Sequence, residues 1–348
     1  MKSALIRQKR EALNAENPKI NPREQADRIG VSEGALVASA CGHGNIRLKR
    51  DVSDREAQLC YLNTACEVLS VSRNRTALLE VKGAYPKCQF FEGLGWMQGT
   101  PIDLRATVVQ WSEGFYVPAD GTCGASLQFF DSEGVAVHKV FFVGGQEPDE
   151  GFLKIQAHRN QKPDFEWTRG PVSNYSGEDN SELDHEAFMQ KWEQLGELHN
   201  FNRLTQRFGL NRLQTIRMAG EGHAQRLNRD AVRDVLAGAN RHEIPLEVSI
   251  ENSGVVQNRS GVLPPIESYG KWMNLLHDHF NLHIDESQVN QVWRVAVPTR
   301  HGVVHVLEVF DKGDRPALRM LPSEALTGSE PAAWTEQLES CEPLSIEE

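Results

Sequence analysis

The 348-residue sequence has no apolar run long enough to cross a bilayer and no closely spaced pair of cysteines. Its six cysteines are scattered singly, which excludes a CxxC zinc knuckle and favours reduced thiols over a disulfide framework. With a net charge of −11, the chain has too few clustered cations for a broad nucleic-acid surface. The amino-terminal stretch also lacks the apolar core and cleavage site of a secretory signal. We therefore expect a cytoplasmic protein with no membrane span and no nucleic-acid partner.

Common enzyme signatures are also missing, since the chain contains no P-loop, no GxSxG elbow and no HExxH motif. The glycines of GLGWMQG, residues 93–99, lack the strand-to-helix context of a dinucleotide-binding loop and predict a turn. A hydrophobic fraction of 39% in a chain of this length predicts an ordinary globular protein with room for two domains.

The segment PREQADRIGVSEGALVASACG, residues 22–42, predicts two short helices joined at Gly30, with Ser32 as the N-cap of the second. A helix-turn-helix has a similar pattern, so a DNA-binding regulator is one alternative. From Leu78 onwards the pattern changes to strands. These are predicted in TALLEVKGAY, LRATVVQWSEGFYVP, ASLQFFD and VAVHKVFFV, and again in PLEVSIE, GVVQNRSG, VWRVAVP and VVHVLEVFD.

An internal repeat relates the two sets of strands. VPADGTCGASLQFFD, residues 117–131, matches VPTRHGVVHVLEVFD, residues 297–311, without a gap at a shift of 180. Two copies at so long a shift indicate two similar halves rather than a solenoid. Upstream, Ile102-Asp103 and Trp111 match Ile284-Asp285 and Trp293 at a shift of 182.

The repeat predicts an α+β fold built by tandem duplication. Each half has N-terminal helices followed by a large antiparallel β-sheet. We place the first repeat at residues 1–165 and the second at residues 181–345, with a polar, turn-rich linker over residues 157–184.

A histidine stands out in WEQLGELHNFNRLTQRFGLNR, residues 192–212, which predicts one amphipathic helix with an apolar stripe of four residues. The stripe consists of Leu198, Phe201, Leu204 and Phe208. His199 lies off this stripe, on the side of Trp192 and Leu195. An imidazole in that position could bind a metal ion or a flat, metal-bearing cofactor, and the spacing alone does not decide between them.

These segments, in their order and spacing, resemble the HemS/ChuS-type family of cytoplasmic haemin-degrading and haemin transport proteins. The resemblance covers nearly the whole chain, including IDLRATVVQW, LQFFDSEGVAVHKVFF, WEQLGELHNF, WMNLLHDHFNLHI and VWRVAVPTRHGVVHVLEVFD. It implies a tandem-duplicated α+β fold that binds one haem b in a cleft between the halves.

The resemblance also implies roles for three residues. His199 matches the axial ligand of the haem iron, which suits a neutral imidazole. Arg105, in IDLR, matches the distal arginine, which would also be the catalytic residue if the chain degrades haem. Arg212 matches an arginine near the haem propionates, with which a guanidinium can pair bidentately.

The chain departs from the family pattern near the second repeat's strands. Val297 stands where a lysine is common, and Arg319 and Leu321 stand where members often have a glutamine and an aromatic residue. Arg319 could restore positive charge near a propionate and is a further predicted haem-binding residue. Leu321 cannot donate a hydrogen bond, which predicts a drier or differently arranged distal pocket.

The expected function is haem binding in haem-iron utilisation, either delivering haem or degrading it oxidatively with an external electron donor. Expected partners are haem and a haem uptake transporter, a haem oxygenase or a reductase. A non-haem metal site is the other alternative, because HDHFNLHID supplies His277, His279 and His283, with Asp285 as a carboxylate ligand. The family resemblance instead makes these histidines turn and surface residues.

Overall fold

A computed structural model describes residues 1–18, 20–65, 67–121, 123–161, 167, 184–326, 328 and 330–344. The chain divides into two compact units, one formed by residues 1–73, 80–172 and 252–257 and the other by residues 74–79, 173–251 and 258–348. Most of the predicted linker, residues 157–184, lies outside the described residues.

The elements follow the same order twice along the chain. The first half contains α1 (Ser3–Glu16), α2 (Pro22–Ile29), α3 (Glu33–Ala38), β1 (Ile46–Arg47), α4 (Val52–Leu62), β2 (Val68–Arg73), β3 (Ala77–Gly83), β4 (Gln89–Phe91), β5 (Leu94–Met97), β6 (Asp103–Thr107), β7 (Glu113–Val117), β8 (Ser126–Phe130), β9 (Ala136–Phe142) and α5 (Glu150–Gln156). The second half contains α6 (His185–Glu193), α7 (Asn200–Arg207), α8 (Arg212–Ala219), β10 (Ala224–Leu227), α9 (Ala231–Arg241), β11 (Leu246–Glu251), β12 (Val255–Gly261), β13 (Ile266–Tyr269), β14 (Trp272–His277), β15 (Phe280–Asp285), β16 (Val289–Thr299), β17 (Gly302–Asp311), β18 (Pro316–Pro322) and α10 (Ala332–Glu339).

The strand order is also repeated. Neighbouring strands run β1-β7-β8-β9-β2-β3 in the first half and β10-β16-β17-β18-β11-β12 in the second, and β4-β5-β6 and β13-β14-β15 form two smaller sets. The registered pairs within these sets are antiparallel. The structure therefore confirms the predicted α+β duplication with helices before antiparallel strands.

The two short helices predicted at residues 22–42 are present. Gly30 follows α2 with φ +79°, a conformation that costs glycine little, and the side chain of Ser32 accepts a hydrogen bond from the backbone N–H of Ala35. Five of the six residues of α3 are buried, so this helix has no exposed face to enter a DNA groove.

Asn74 stabilises the turn between β2 and β3. Its Nδ2 donates to the backbone oxygens of Glu251 and Ala317 at 2.9 and 2.6 Å, and its Oδ1 accepts from the backbone N–H groups of Thr76 and Ala77. All four hydrogen-bonding positions of this amide are therefore used.

Asn252 occupies the same place between β11 and β12. Its Nδ2 donates to the backbone oxygens of Arg73 and Val137 at 3.0 and 2.7 Å, and its Oδ1 accepts from two backbone N–H groups of its own turn. Asn74 and Asn252 are 178 residues apart, although neither lies in the segments that revealed the repeat.

Strand pairing corrects the predicted register of the repeat. Phe130 and Phe310, which are 180 residues apart, pair with Glu113 and Gln291, which are 178 apart. The two-residue difference therefore falls in the turns that join β7 to β8 and β16 to β17. The shift of 182 that was predicted upstream, from the isoleucine-aspartate and tryptophan matches, is wrong. The equivalent strands in that part of the two repeats are also related by a shift of 178.

Candidate functional site

His199 lies at the start of a helix rather than in the middle of one. The continuous helix predicted for residues 192–212 is wrong, because α6 ends at Glu193, α7 begins at Asn200 and His199 is the N-cap residue of α7. Gly196, with φ +66°, lets the chain turn between the two helices, and its carbonyl accepts a hydrogen bond of 2.8 Å from the N–H of Arg300.

The imidazole of His199 is held at one nitrogen by a carboxylate. Its side chain is 53% exposed, and Nδ1 lies 3.2 Å from Oε2 of Glu197. The other oxygen of Glu197 lies 2.8 Å from Nη1 of Arg300, which fixes the carboxylate. A carboxylate that accepts a hydrogen bond from Nδ1 would favour the tautomer in which Nε2 keeps its lone pair and is free to bind a metal.

The predicted apolar stripe of this segment is confirmed. Phe201 and Leu204 are buried, and Leu198 and Phe208 pack against the same core cluster. Trp192 also belongs to this cluster, with its ring centroid 5.8 Å from that of Phe201. The stripe anchors α7 and leaves His199 at the edge of the packed region.

Arg212 is the first residue of α8 and forms a bidentate ion pair. Its Nε donates to Oε2 of Glu308 at 2.9 Å, and its Nη2 donates to Oε1 of the same carboxylate. Its Nη1 donates to Asn202 at 3.2 Å, and its guanidinium lies 4.6 Å from the centroid of the Phe201 ring. Burial by itself lowers the pKa of Arg212, but the charge and hydrogen bonds of Glu308 outweigh it and raise the pKa above its usual value.

Arg319 lies on β18, directly across the strand pair from Glu308 on one side and Ser249 on the other. Its Nη2 donates to Oγ of Ser249 at 3.0 Å and lies 3.5 Å from Oε1 of Glu247. Its Nε is buried and has no hydrogen-bond partner among the described residues. Burial, followed by the nearby charge of Arg212, lowers the pKa of Arg319.

Arg105 is an exposed residue of β6, flanked by the buried residues Leu104 and Ala106. Alternation along the strand places its side chain on the opposite face from theirs. Its backbone pairs with Trp96 on β5. An exposed guanidinium on a rigid strand is available to donate hydrogen bonds to a ligand.

Val297 and Leu321, the two departures from the family pattern, are buried in the core cluster that also contains Trp192 and Phe201. Both therefore contribute apolar packing where the family pattern has polar or aromatic side chains.

The histidines of HDHFNLHID do not form a metal site. His277 ends β14 and His279 lies in the following turn, so the two do not lie on one side of a strand. His283 contacts Oδ1 of Asn274 at 2.6 Å, and Asp285 is paired with Lys271 at 2.7 Å. In the part of the chain that the structure describes, no three His, Cys, Asp or Glu residues are grouped to hold a metal ion.

Two residues of this region could not be identified from the sequence. Glu197 orients His199, and Glu308 neutralises Arg212. Glu197 lies only two residues before the histidine, which is a weak local signal. Glu308 is 96 residues from its partner, and no sequence pattern indicated that the two would meet.

Over the described ranges, no helix is both long enough and apolar enough to span a bilayer.

Comparison with known proteins places these residues in a family context. The hemin transport protein HmuS of Yersinia pestis is 29% identical over 333 residues, covering 93% of both chains, and the hemin transport protein HemS of Yersinia enterocolitica is 29% identical over 301 residues, covering 85% of both. The structure of holo-PhuS, a heme-binding protein from Pseudomonas aeruginosa, superposes with a TM-score of 0.89 at 27% identity, covering 99% of this chain and 100% of that one. A family model described as the haemin-degrading HemS.ChuX domain matches residues 30–155 and residues 209–341. Because these two matches together cover well over half of the sequence, the chain belongs to the haemin-degrading HemS.ChuX domain family.

Proposed function

We propose that this chain binds haem for haem-iron utilisation and that His199 is the iron ligand. The observation that carries the proposal is the half-exposed imidazole with Nδ1 held by Glu197, since a histidine ligand normally donates this second nitrogen to a carboxylate or carbonyl. The names of the relatives support it, because HmuS and HemS are hemin transport proteins and PhuS is a heme-binding protein.

The described residues also include cations that could pair with the carboxylates of haem. Haem carries two carboxylates that need cationic partners when they leave water. Arg319, whose buried Nε has no partner among the described residues, supplies one, and Arg212, which is paired with Glu308, is a second guanidinium of the same unit. In this proposal, Arg105 would donate hydrogen bonds to a ligand of the haem iron and so tune what binds there.

Delivery of haem is the function that the chain's own residues favour over degradation. Val297 and Leu321 place apolar side chains in the core where the family pattern has groups able to hydrogen-bond or stack. Degradation remains a second candidate because the matching family domain is described as haemin-degrading. In that case bound haem supplies the oxygen-activating iron, an external reductase supplies electrons, and Arg105 is the catalytic residue.

The partners in delivery would be a haem uptake transporter on one side and a haem oxygenase on the other. A cytoplasmic location stays a prediction, to which the five free cysteines among the described residues add support.

A haemin titration followed by absorption spectroscopy tests the proposal. Wild type should give a saturable change in the haemin spectrum, and His199→Ala should lose or shift it. The matched control is His242→Ala, since His242 is an exposed histidine at the end of α9 in the same unit. A wild-type spectrum retained in His199→Ala would remove His199 as the ligand.

A second measurement separates delivery from degradation. The haem-loaded protein is mixed with a reductant and oxygen in the presence of catalase, which removes free peroxide. Delivery predicts that the haem absorption band persists and moves to an acceptor protein when one is added. Loss of the band with formation of an open-chain product would establish degradation instead.

A further inference from the structure

Glu308 is a buried carboxylate that pairs with Arg212, the arginine that the family resemblance places near the haem propionates. Its side chain is 4% exposed, and that of Arg212 is 12% exposed. Two hydrogen bonds join them, from Nε and Nη2 of the arginine to both oxygens of the glutamate. This fork-to-fork geometry is the same one that an arginine uses to hold a haem propionate.

The edge of Arg212 formed by Nε and Nη2 is therefore occupied by Glu308. Its remaining nitrogen, Nη1, donates to Asn202, and one face of the guanidinium lies over Phe201. A ligand carboxylate can use this edge only by taking hydrogen bonds away from Glu308. It must also approach a buried negative charge, which repels it.

Arg319 differs from Arg212 in this respect. It faces Glu308 across the β17–β18 pair but its hydrogen bonds go to Ser249 and, at 3.5 Å, to Glu247. The side chain is 28% exposed, and its buried Nε has no partner among the described residues. Among the described residues, no carboxylate therefore binds Arg319 bidentately, as Glu308 binds the Nε–Nη2 edge of Arg212.

We propose that Glu308 is an internal competitor for the ligand carboxylate: it occupies Arg212 and lowers the affinity for a dicarboxylate porphyrin, and Arg319 remains as the open cation. The inference rests on the proposed function. It would make haem easier to release, since the two carboxylates of the ligand are bound less tightly than they would be by two unpaired arginines. Such weakened binding suits delivery to an acceptor.

The test compares haemin with its dimethyl ester, in which both carboxylates are neutral. Glu308→Gln keeps the shape and a hydrogen-bond acceptor while removing the charge. It should tighten haemin binding by about tenfold, the size expected when a charge-assisted hydrogen-bonded contact becomes available, and should leave ester binding unchanged. Adding Arg212→Gln to Glu308→Gln should reverse the gain.

The matched control is Glu286→Gln, which removes the carboxylate of another ion pair in the same unit, with Arg233 at 2.7 Å. Glu286→Gln should change the affinity for neither haemin nor the ester.

A measurement on wild type tests the same inference without depending on the folding of a variant. Because Arg212 is already neutralised, wild type should prefer haemin over the ester by less than about tenfold.

The outcomes separate this inference from the proposed function. If wild type binds neither porphyrin, the proposed function fails. If wild type binds haemin but Glu308→Gln binds it no more tightly, or tightens haemin and ester equally, Glu308 is a structural partner of Arg212 and the competition is refuted. A wild-type preference for haemin of about a hundredfold would also refute it, because both arginines would then be available to the ligand.

Discussion

Glu33 and Arg212 are the first residues of equivalent helices in the two repeats, and they carry opposite charges. Each follows an N-cap residue, Ser32 before α3 and Asn211 before α8. The carboxylate of Glu33 forms ion pairs with Arg73 and Lys139, whereas the guanidinium of Arg212 pairs with Glu308.

This inversion makes the two repeats chemically different at the same place in the fold. Arg319, which corresponds to Lys139 at the shift of 180, has no carboxylate on its own third helix to pair with. It contacts Ser249 and, at 3.5 Å, Glu247, and its Nε has no partner in the part of the chain that the structure describes. The backbone is therefore duplicated, but the second repeat has His199 as the N-cap of α7 where the first has Asn21 as the N-cap of α2.

The contact between Glu197 and His199 gives the first prediction. Glu197→Gln should weaken haemin binding by about tenfold, because loss of the carboxylate at Nδ1 removes the group that orients the ring. The measurement is a haemin titration that records affinity and the position of the main absorption band. Glu193→Gln, which removes an exposed carboxylate at the end of α6, should behave as wild type. Equal affinities for the two variants would show that Glu197 does not support the ligand.

Arg105 gives the second prediction. Arg105→Ala should bind haemin within about threefold of wild type, since an exposed arginine adds little to affinity, but it should change the spectrum that reports the iron's second axial position. Arg105→Lys keeps the charge without the planar donor fork and should show the same spectral change. The check is a pH titration of the ferric spectrum from pH 6 to pH 10. A profile identical to that of wild type in both variants would exclude a distal role.

Local signals in the sequence were sufficient for some of these features. Gly30 and Ser32 predicted a helix end and a helix start because capping depends on a few adjacent residues. The strands of the two repeats were visible as β-branched and aromatic runs. The stripe containing Leu198 and Phe201 was also correct, since burial of one helix face depends on spacing.

Features that depend on distant contacts were missed. The break at Gly196 was not predicted, because the apolar spacing continues across it and the contact with Arg300 lies about a hundred residues away. Of the turn predicted for residues 93–99, Gly93 does lie in a turn, but Leu94–Met97 form strand β5, which pairs with β4 and β6. The pairing of Arg212 with Glu308 likewise requires the folded sheet.

His138 gives a prediction for stability against pH. It is fully buried, with Nδ1 3.0 Å from Oγ of Ser72, and burial lowers its pKa from 6.5 to about 3. Between these values the unfolded chain binds a proton that the folded chain does not. The stabilisation is therefore complete above pH 6.5 and is lost as the pH falls below it, by about 1.4 kcal/mol per pH unit.

His138→Gln removes this titration. Between pH 7.5 and pH 5, the free energy of unfolding of wild type should fall by about 2 kcal/mol more than that of the variant. Urea unfolding at several pH values measures the difference, and the exposed His242→Gln serves as the control. Parallel pH profiles for wild type and His138→Gln would mean that the buried imidazole is protonated in the folded chain.

The equivalent asparagines Asn74 and Asn252 give the last prediction. In each case Nδ2 donates to two backbone carbonyls, so replacement by aspartate puts a carboxylate against two carbonyl oxygens and leaves both without a donor. Either Asn→Asp variant should lose about 2–4 kcal/mol of unfolding free energy, more than the matching Asn→Ala variant, which removes the hydrogen bonds without adding repulsion. Urea unfolding at pH 7.5 measures both losses. Because the two turns are built alike, the losses at positions 74 and 252 should agree within about 1 kcal/mol. A large loss at one position with none at the other would show that the repeated geometry does not carry a repeated energetic role.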